Sequence, residues 1–438
     1  MQLDAVTIKD LDIFTGEGTS SVYQYLNLTT TNQGAEALYQ FLQKPFTSIA
    51  AIQQQQQLLQ AIHQALPVWP TAITNGTVMV IEKYFETYFE NYAPHPSALA
   101  VAWYQLVHKG DYSLIQYSVE HCWQFVNGLH TLAQVLEKEP NQSKAHQWSQ
   151  QVLTITQSTH MEAFLQATPA QRKNGYWVLH YGHTIKNNWR NKLQQCIQLF
   201  AYIDAMCSLA KAQVKYSLTL PTFLDEPLPY IQAQNLQHFL LPNAVGCSVE
   251  LSPQKNFLFL TGANMAGKST FIKSLGIAVY LAHIGLGVPA KHFRLTLFEG
   301  LLSNIHVADD LQRGESYFFN EVQRIKKIVS RVQNQHKWLI LIDEIFKGTN
   351  VQDAMKCSTS VIEGLQKKSS SLFVTSSHLY EIASFVQQFP NIQCKYFETF
   401  VNNDQFSFSY QLKDGVSNDR IGYSILKREG VVNLLNEL

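Results

Sequence analysis

Residues Phe257 to Thr270 constrain this chain more than any other stretch, reading F-L-F-L-T-G-A-N-M-A-G-K-S-T. Phe257 to Leu260 has the length and aromatic content of a buried strand. The run breaks at Gly262-Ala-Asn-Met-Ala-Gly267-Lys268-Ser269, matching G-x-x-x-x-G-K-[ST] at every fixed position. From Thr270 to Tyr280 the apolar spacing suits a helix. Strand, glycine loop and helix are the context in which such a loop cradles phosphates. Gly262 and Gly267 let backbone N–H groups turn toward an anion, and the helix N-terminus adds partial positive charge. Lys268 can reach the β- and γ-phosphates, and the Ser269 hydroxyl can ligate Mg²⁺. The stretch predicts a nucleoside-triphosphate site.

A second element fits the same chemistry. Trp338-Leu-Ile-Leu-Ile-Asp343-Glu344 reads as a buried strand ending in two carboxylates, 75 residues after Lys268. An aspartate at the carboxyl end of a neighbouring parallel strand can hold the Mg²⁺ shell, and the next residue can polarise an attacking water. A further apolar strand, Ser370 to Thr375, ends in Thr375-Ser-Ser-His378, where a polar strand tip can sense a γ-phosphate. Between them, Asp309 to Glu321 is a polar turn with Gly314, opening a helix that runs to about Val332. Strands are also expected at 239–241, 244–251, 295–305, 393–400 and 405–412, with a last helix from Arg420. The pattern alternates as an α/β domain with a mainly parallel sheet.

The part before it reads differently. Helical periodicity starts at Gln33, with Ala37, Leu38, Phe41 and Leu42 on one face and Pro45 as the stop. It continues through residues 71–90, 95–108, 113–137 and 143–166. Gln53 to Gln57 reads as an exposed helix face. Trp189, Leu193, Cys196, Phe200, Ile203, Cys207 and Ala210 follow 4-3 spacing, predicting a helix from about His183 to Lys215, roughly 50 Å long. Pro221, Pro227 and Pro229 mark a boundary, giving an all-α region over 1–225 and an α/β domain over 226–438.

Composition excludes several classes. The chain has 438 residues, 46% hydrophobic and 15% charged, with zero formal net charge, so it has material for ordered cores. Residues 251–438 carry 20 Lys and Arg against 16 Asp and Glu, without the basic excess that alone marks a nucleic-acid binder. Arg172, Lys173, Lys186, Arg190 and Lys192 form one local cationic cluster, expected as a solvated helix face. The six cysteines show neither C-x-x-C pairs nor zinc spacing, so free thiols of a reducing compartment are expected. The N-terminus lacks the basic and apolar segments of a secretory signal. The longest apolar run, Leu275 to Val288, is too short to span a bilayer. These features predict a cytoplasmic protein without membrane contact.

The ordered motifs together resemble the MutS family of DNA mismatch-repair ATPases, within the ABC-type ATPases. They are T-G-A-N-M-A-G-K-S-T at 261–270, H-I-G-L-G-V-P-A at 283–290, D-D-L-Q-R-G-E-S-Y-F at 309–318, L-I-D-E-I-F-K-G-T at 341–349, T-S-S-H at 375–378 and K-D-G-V-S-N-D-R-I-G-Y at 413–423. Thr31-x-x-Gly34, Phe41-Leu42 and Pro45 also look like the start of the family's core or lever domain. The implied fold is an α/β P-loop (ABC-type) ATPase domain preceded by an all-α core/lever domain. The resemblance implies ATP and Mg²⁺ as cofactors and a homodimer through the ATPase domain, with DNA or a repair protein as partner. Gly262, Ala263, Asn264, Met265, Ala266, Gly267, Lys268, Ser269 and Thr270 would cradle the phosphates, and Ser269 and Asp343 would hold the metal. Lys268, Glu344 as base and His378 at the hydrolytic water would form the catalytic set, with Ser316 reaching the nucleotide of the opposite subunit.

The sequence also departs from the family pattern. Ala263 and Ala266 replace its usual Pro and Gly, Glu36 stands where Arg or Lys often follows Gly34, and Leu240 where an adenine-stacking aromatic is expected, beside Phe239. Only about 260 residues precede the loop, short for a lever with its DNA clamp, and the sequence stops soon after Gly430, where longer relatives continue into a dimerising helix pair. The expectation is an ATP-driven switch without autonomous mismatch recognition, or a nucleotide-gated protein-interaction module.

Overall fold

The computed structural model describes residues 1–14, 20–90, 92–305, 317–402, 405–417, 426–427 and 430–436. Its chain forms two compact units, one of Leu26–Gln43 with Gln53–Val214, the other of Met1–Tyr25, Lys44–Ile52 and Lys215–Leu438. The first unit is helical throughout its regular elements and the second is α/β. Residues 1–25 and 44–52, expected with the helical region, belong to the α/β unit. One physical reason is main-chain pairing: Gln2 N–H donates to Glu299 O at 2.7 Å and Leu301 N–H to Gln2 O at 3.0 Å.

Within the helical unit the expected long helix is two. Gly175–Asn187 ends at Asn188, and Arg190–Lys215 begins after Trp189, whose N–H folds back to Thr184 O at 3.0 Å. Two consecutive asparagines are weak helix formers and end the first segment. The second is 26 residues, about 39 Å at 1.5 Å per residue. Trp189, Leu193, Cys196, Phe200, Ile203, Cys207 and Ala210 are all buried, as their spacing predicts. Asp204, Ala205, Met206, Ser208 and Leu209 are buried too, so this helix is enclosed on every side from Ile203 to Ala210. The glutamine run is not wholly solvent-facing: Gln55 is buried, its amide donating to Met206 Sδ and its oxygen accepting from Lys144 Nζ. Of the cationic cluster, Lys173, Arg190 and Lys192 are exposed as expected, while Arg172 and Lys186 are packed. Arg172 pairs with Glu120 and lies 3.6 Å from the Trp123 ring centroid, while Lys186 donates to Thr87 O.

Asp204 anchors the helical unit. It is fully buried and accepts from the Thr30 and Thr31 amides and from both threonine hydroxyls, at 2.8 to 3.1 Å. Thr31 in turn caps the helix Asn32–Leu42, accepting from Gly34 N–H at 3.0 Å. A Cβ on Gly34 would lie 2.2 Å from Asp204 Oδ2, so only glycine fits.

The α/β unit holds two sheets. In chain order the strands are β1 (Thr222–Leu224), β2 (Ile231–Leu236), β3 (Cys247–Leu251), β4 (Phe257–Thr261), β5 (His292–Thr296), β6 (Gly300–Asn304), β7 (Trp338–Ile342), β8 (Ser371–Ser376), β9 (Ile392–Asn402) and β10 (Gln405–Asp414). A four-stranded sheet runs β1-β5-β2-β3, and a six-stranded sheet runs β10-β9-β4-β8-β7-β6, parallel except for the β10–β9 pair. The single strand expected over 295–305 is therefore divided between the two sheets. No strand forms at 239–241, which is a turn, and the strand expected over 244–251 starts at Cys247. Strands β4, β7 and β8 are buried on both faces, as parallel strands covered by helices must be. Beneath them Phe257, Ile340, Phe373, Ile328 and Ile362 join one core with the helices Tyr317–Val332 and Val351–Leu365. No helix among the described residues is long and apolar enough to cross a membrane.

Candidate active site

The connection from β4 to the helix Lys268–His283 passes through residues 262–267. Its backbone is left-handed at Gly262 (φ 136°), Met265 (φ 69°) and Gly267 (φ 111°), conformations that favour glycine at two of the three positions. A side chain at Gly262 would also press on Phe397 O at 3.2 Å. Lys268 is buried, and its Nζ donates to Gly262 O at 2.8 Å and Ala263 O at 2.9 Å. Burial lowers its pKa while Glu344 and Asp343 oppose that shift. The ammonium is thus pinned to its own loop by two neutral carbonyls. Asn264, Met265 and Ser269 are exposed, Thr270 is half-buried, and Ala263 and Ala266 are buried.

Asp343 and Glu344 follow β7, and His378 follows β8, its neighbour in the sheet. Ser376, at the end of β8, bridges the two carboxylate residues: its hydroxyl donates to Asp343 Oδ1 and accepts from Glu344 N–H at 2.9 Å. Glu344 has φ 54°, a conformation costly for a side chain with a Cβ. Its carboxylate pairs with His378 Nε2 and with Lys347 Nζ at 2.7 Å. Burial pushes the Glu344 pKa up, but the bonds from His378 and Lys347 win and hold it at about 2.

A cleft of about 550 Å³ opens here, within the size range of ligand pockets. Asn264, Met265, Gly267, Lys268, Ser269, Thr270 and Glu344 line it, so much of the glycine loop and one of the two carboxylates face one space. The Asp343 carboxylate and Ser269 hydroxyl are hard oxygen donors of the type that could hold Mg²⁺. Among the described residues no cluster of three His, Cys, Asp or Glu forms a self-contained metal cage. Ser316, with the turn from residue 306, lies outside the described residues.

Sequence reasoning missed a second group of residues at this cleft. His238, Leu241, Val245, Cys247, Phe397 and Tyr410 line it. Burial and then Lys273 lower the His238 pKa to about 4, keeping the imidazole neutral near pH 7. Tyr410 sits where the β10–β9 register shifts, with φ 53°, and its carbonyl accepts from the Cys247 thiol at 3.3 Å. A bulge of this kind re-aims a side chain. The regular two-residue spacing of Phe406, Phe408 and Tyr410 carries no signal of the register shift.

Residues 258–435 match the family model MutS domain V. That stretch lies within the α/β unit, which is similar to MutS domain V over those residues. DNA mismatch repair protein MutS of Carboxydothermus hydrogenoformans is 29% identical over 252 residues, covering 56% of this chain and 29% of that protein. Its namesake in Pseudothermotoga lettingae is 29% identical over 245 residues, covering 55% of this chain and 29% of that protein. The chain thus spans under a third of the length of these curated MutS relatives. The MutS domain V match includes the β4 loop, β7 and β8, and so every site residue named above from Gly262 to His378.

Proposed function

We propose that this chain is a MutS-superfamily ATPase whose nucleotide cycle drives dimerisation and acts on DNA in mismatch repair or other DNA processing. The observation that carries the reading is the meeting of Lys268, Ser269 and Glu344 around one cleft, with Asp343 next to Glu344 in sequence. ATP would place its triphosphate over the loop residues 262–270 and its base toward the apolar wall with Tyr410. Ser269 and Asp343 would hold Mg²⁺, which would neutralise charge on the phosphates. Lys268 would stabilise the β- and γ-phosphates, Glu344 would accept the proton of the attacking water, and His378 would orient that water. Ser316 of a second chain would complete the site.

The test is ATPase rate against protein concentration, with and without duplex, branched and single-stranded DNA at low salt. Specific activity rising with concentration and shifting with one DNA class supports the reading. Activity independent of both contradicts dimerisation and DNA action, and absence of hydrolysis contradicts the enzyme.

One observation favours a second reading, a nucleotide-gated protein-interaction module. On the helix Ala98–Val107, which carries no charged residue, Leu99, Trp103 and Leu106 share one face and are 84%, 57% and 81% exposed. Such a stripe suits a protein groove rather than phosphates. Capture of one stoichiometric protein partner with nucleotide-dependent affinity, and no DNA binding, would favour it.

A further inference from the structure

Glu321 is absent from the catalytic set above, yet it is 1% exposed in the first turns of the helix Tyr317–Val332. A carboxylate in such a place needs donors. Among the described residues two backbone groups donate to it: Lys347 N–H at 3.2 Å to Oε1 and Gly348 N–H at 3.1 Å to Oε2. These amides belong to the turn that follows Glu344. That turn is strained, with left-handed φ at Glu344 (54°) and Phe346 (59°), and it presents the Lys347 ammonium to the Glu344 carboxylate.

A second contact comes from the same helix. The Phe318 ring packs on Phe346, centroids 5.7 Å apart. The helix is itself fixed one turn further on, where Arg324 Nε donates to Ser303 O at 2.8 Å and its guanidinium pairs with Asp4. Lys327 adds a pair with Asp4 at 2.9 Å. Glu321 therefore reaches the strained turn from a helix tied to β6 and to the N-terminal segment.

We propose that Glu321 is a positioning residue that sets the orientation of Glu344 by gripping the backbone of Lys347 and Gly348. The inference deepens the ATPase reading and rests on it for its kinetic consequence. Left-handed backbone persists only where surrounding bonds over-determine it, and Glu321 supplies two of them. Releasing the turn lets Glu344 and Lys347 leave their present geometry without touching the phosphate loop. Loss should fall on turnover, not on nucleotide affinity.

The experiment compares Glu321→Gln and Glu321→Asp with the unaltered chain, alone and combined with Glu344→Gln. The amide matches the carboxylate in shape but turns an NH₂ toward a backbone N–H. The aspartate keeps the charge and falls one methylene short. Each should lower kcat tenfold or more with KM for ATP within twofold, and neither should lower kcat further once Glu344 is glutamine. A rise in KM at constant kcat, or multiplicative losses in the double variants, would overturn the proposal. Hydrogen exchange over residues 345–348 gives a readout free of catalysis, with faster exchange expected in both variants. Unchanged exchange also overturns it. If the unaltered chain hydrolyses no ATP while exchange behaves as expected, the ATPase reading fails and the grip of Glu321 on the turn stands.

Discussion

Asp204 in the helical unit and Glu344 in the α/β unit are carboxylates drawn away from water, and they face different company. Asp204 accepts from four uncharged donors on Thr30 and Thr31, next to unstrained helix, and no cation approaches it in those bonds. Glu344 sits on left-handed backbone, half-buried, with His378 and Lys347 on its carboxylate and a cleft in front of it. A carboxylate satisfied by main-chain and hydroxyl donors fixes a helix. One held by the His378 and Lys347 side chains at a strand tip beside an open cleft can exchange those partners. Stability and chemistry are thus divided between residues of the same class.

Breaking the Glu344 side of this contrast should give the larger effect. Glu344→Gln removes the proposed base and is expected to lower single-turnover ATP hydrolysis by about 10²–10⁴-fold while ATP still binds. Turnover close to that of the unaltered chain would remove Glu344 from that role.

The Asp204 side should show in unfolding rather than turnover. Asp204→Ala leaves the two buried Thr31 donors and the two part-buried Thr30 donors without their acceptor and is expected to cost on the order of 3 kcal/mol. Urea unfolding followed by tryptophan fluorescence checks this, since Trp148, on a neighbouring helix of that unit, donates its indole N–H to Leu199 O. An unchanged transition would mean that the Thr30–Thr31 corner does not depend on Asp204.

A smaller, pH-dependent effect is expected from His283, the buried end of the helix that starts at Lys268. Its Nε2 accepts from Phe298 N–H at 3.1 Å, and its Nδ1 lies 3.2 Å from Val279 O, an arrangement of the neutral ring. Burial lowers its pKa to about 3. An unfolded histidine takes its proton near pH 6.5, so below that pH the unfolded chain binds a proton the fold refuses. Stability should fall as pH drops from about 6.5 toward 3, with no contribution above that window. The slope of the urea midpoint between pH 7 and 5 should be shallower in His283→Gln. Equal slopes would contradict the neutral buried ring.

The same contrast explains what the sequence made legible. The β4, β7 and β8 strands were readable because each is a short apolar run bounded by polar residues, and a parallel strand has no exposed face to interrupt it. Thr31-x-x-Gly34 was visible as a pattern, but its reason was not, because Asp204 lies over 170 residues away and reads as one polar position in an apolar helix. Glu321 was hidden in the same way, resembling a solvent-facing glutamate on an amphipathic helix until the turn after β7 is laid against it. Tyr410 and His238 reach the cleft through a bulge and a turn, neither of which has a periodic signal. The break at Asn187–Trp189 was missed because 4-3 spacing continues across it. Side-chain pattern survives a local kink when the seam stays buried.

The central claim, that the loop at 262–270 is a triphosphate site served by Lys268, is tested most directly by equilibrium binding of ATP with Mg²⁺. Isothermal titration of the unaltered chain and of Lys268→Ala measures it without requiring turnover, a partner or DNA. Binding by the unaltered chain at one site per chain, weakened at least tenfold in Lys268→Ala, is expected. No binding by the unaltered chain, or equal affinity in the two, would contradict the account.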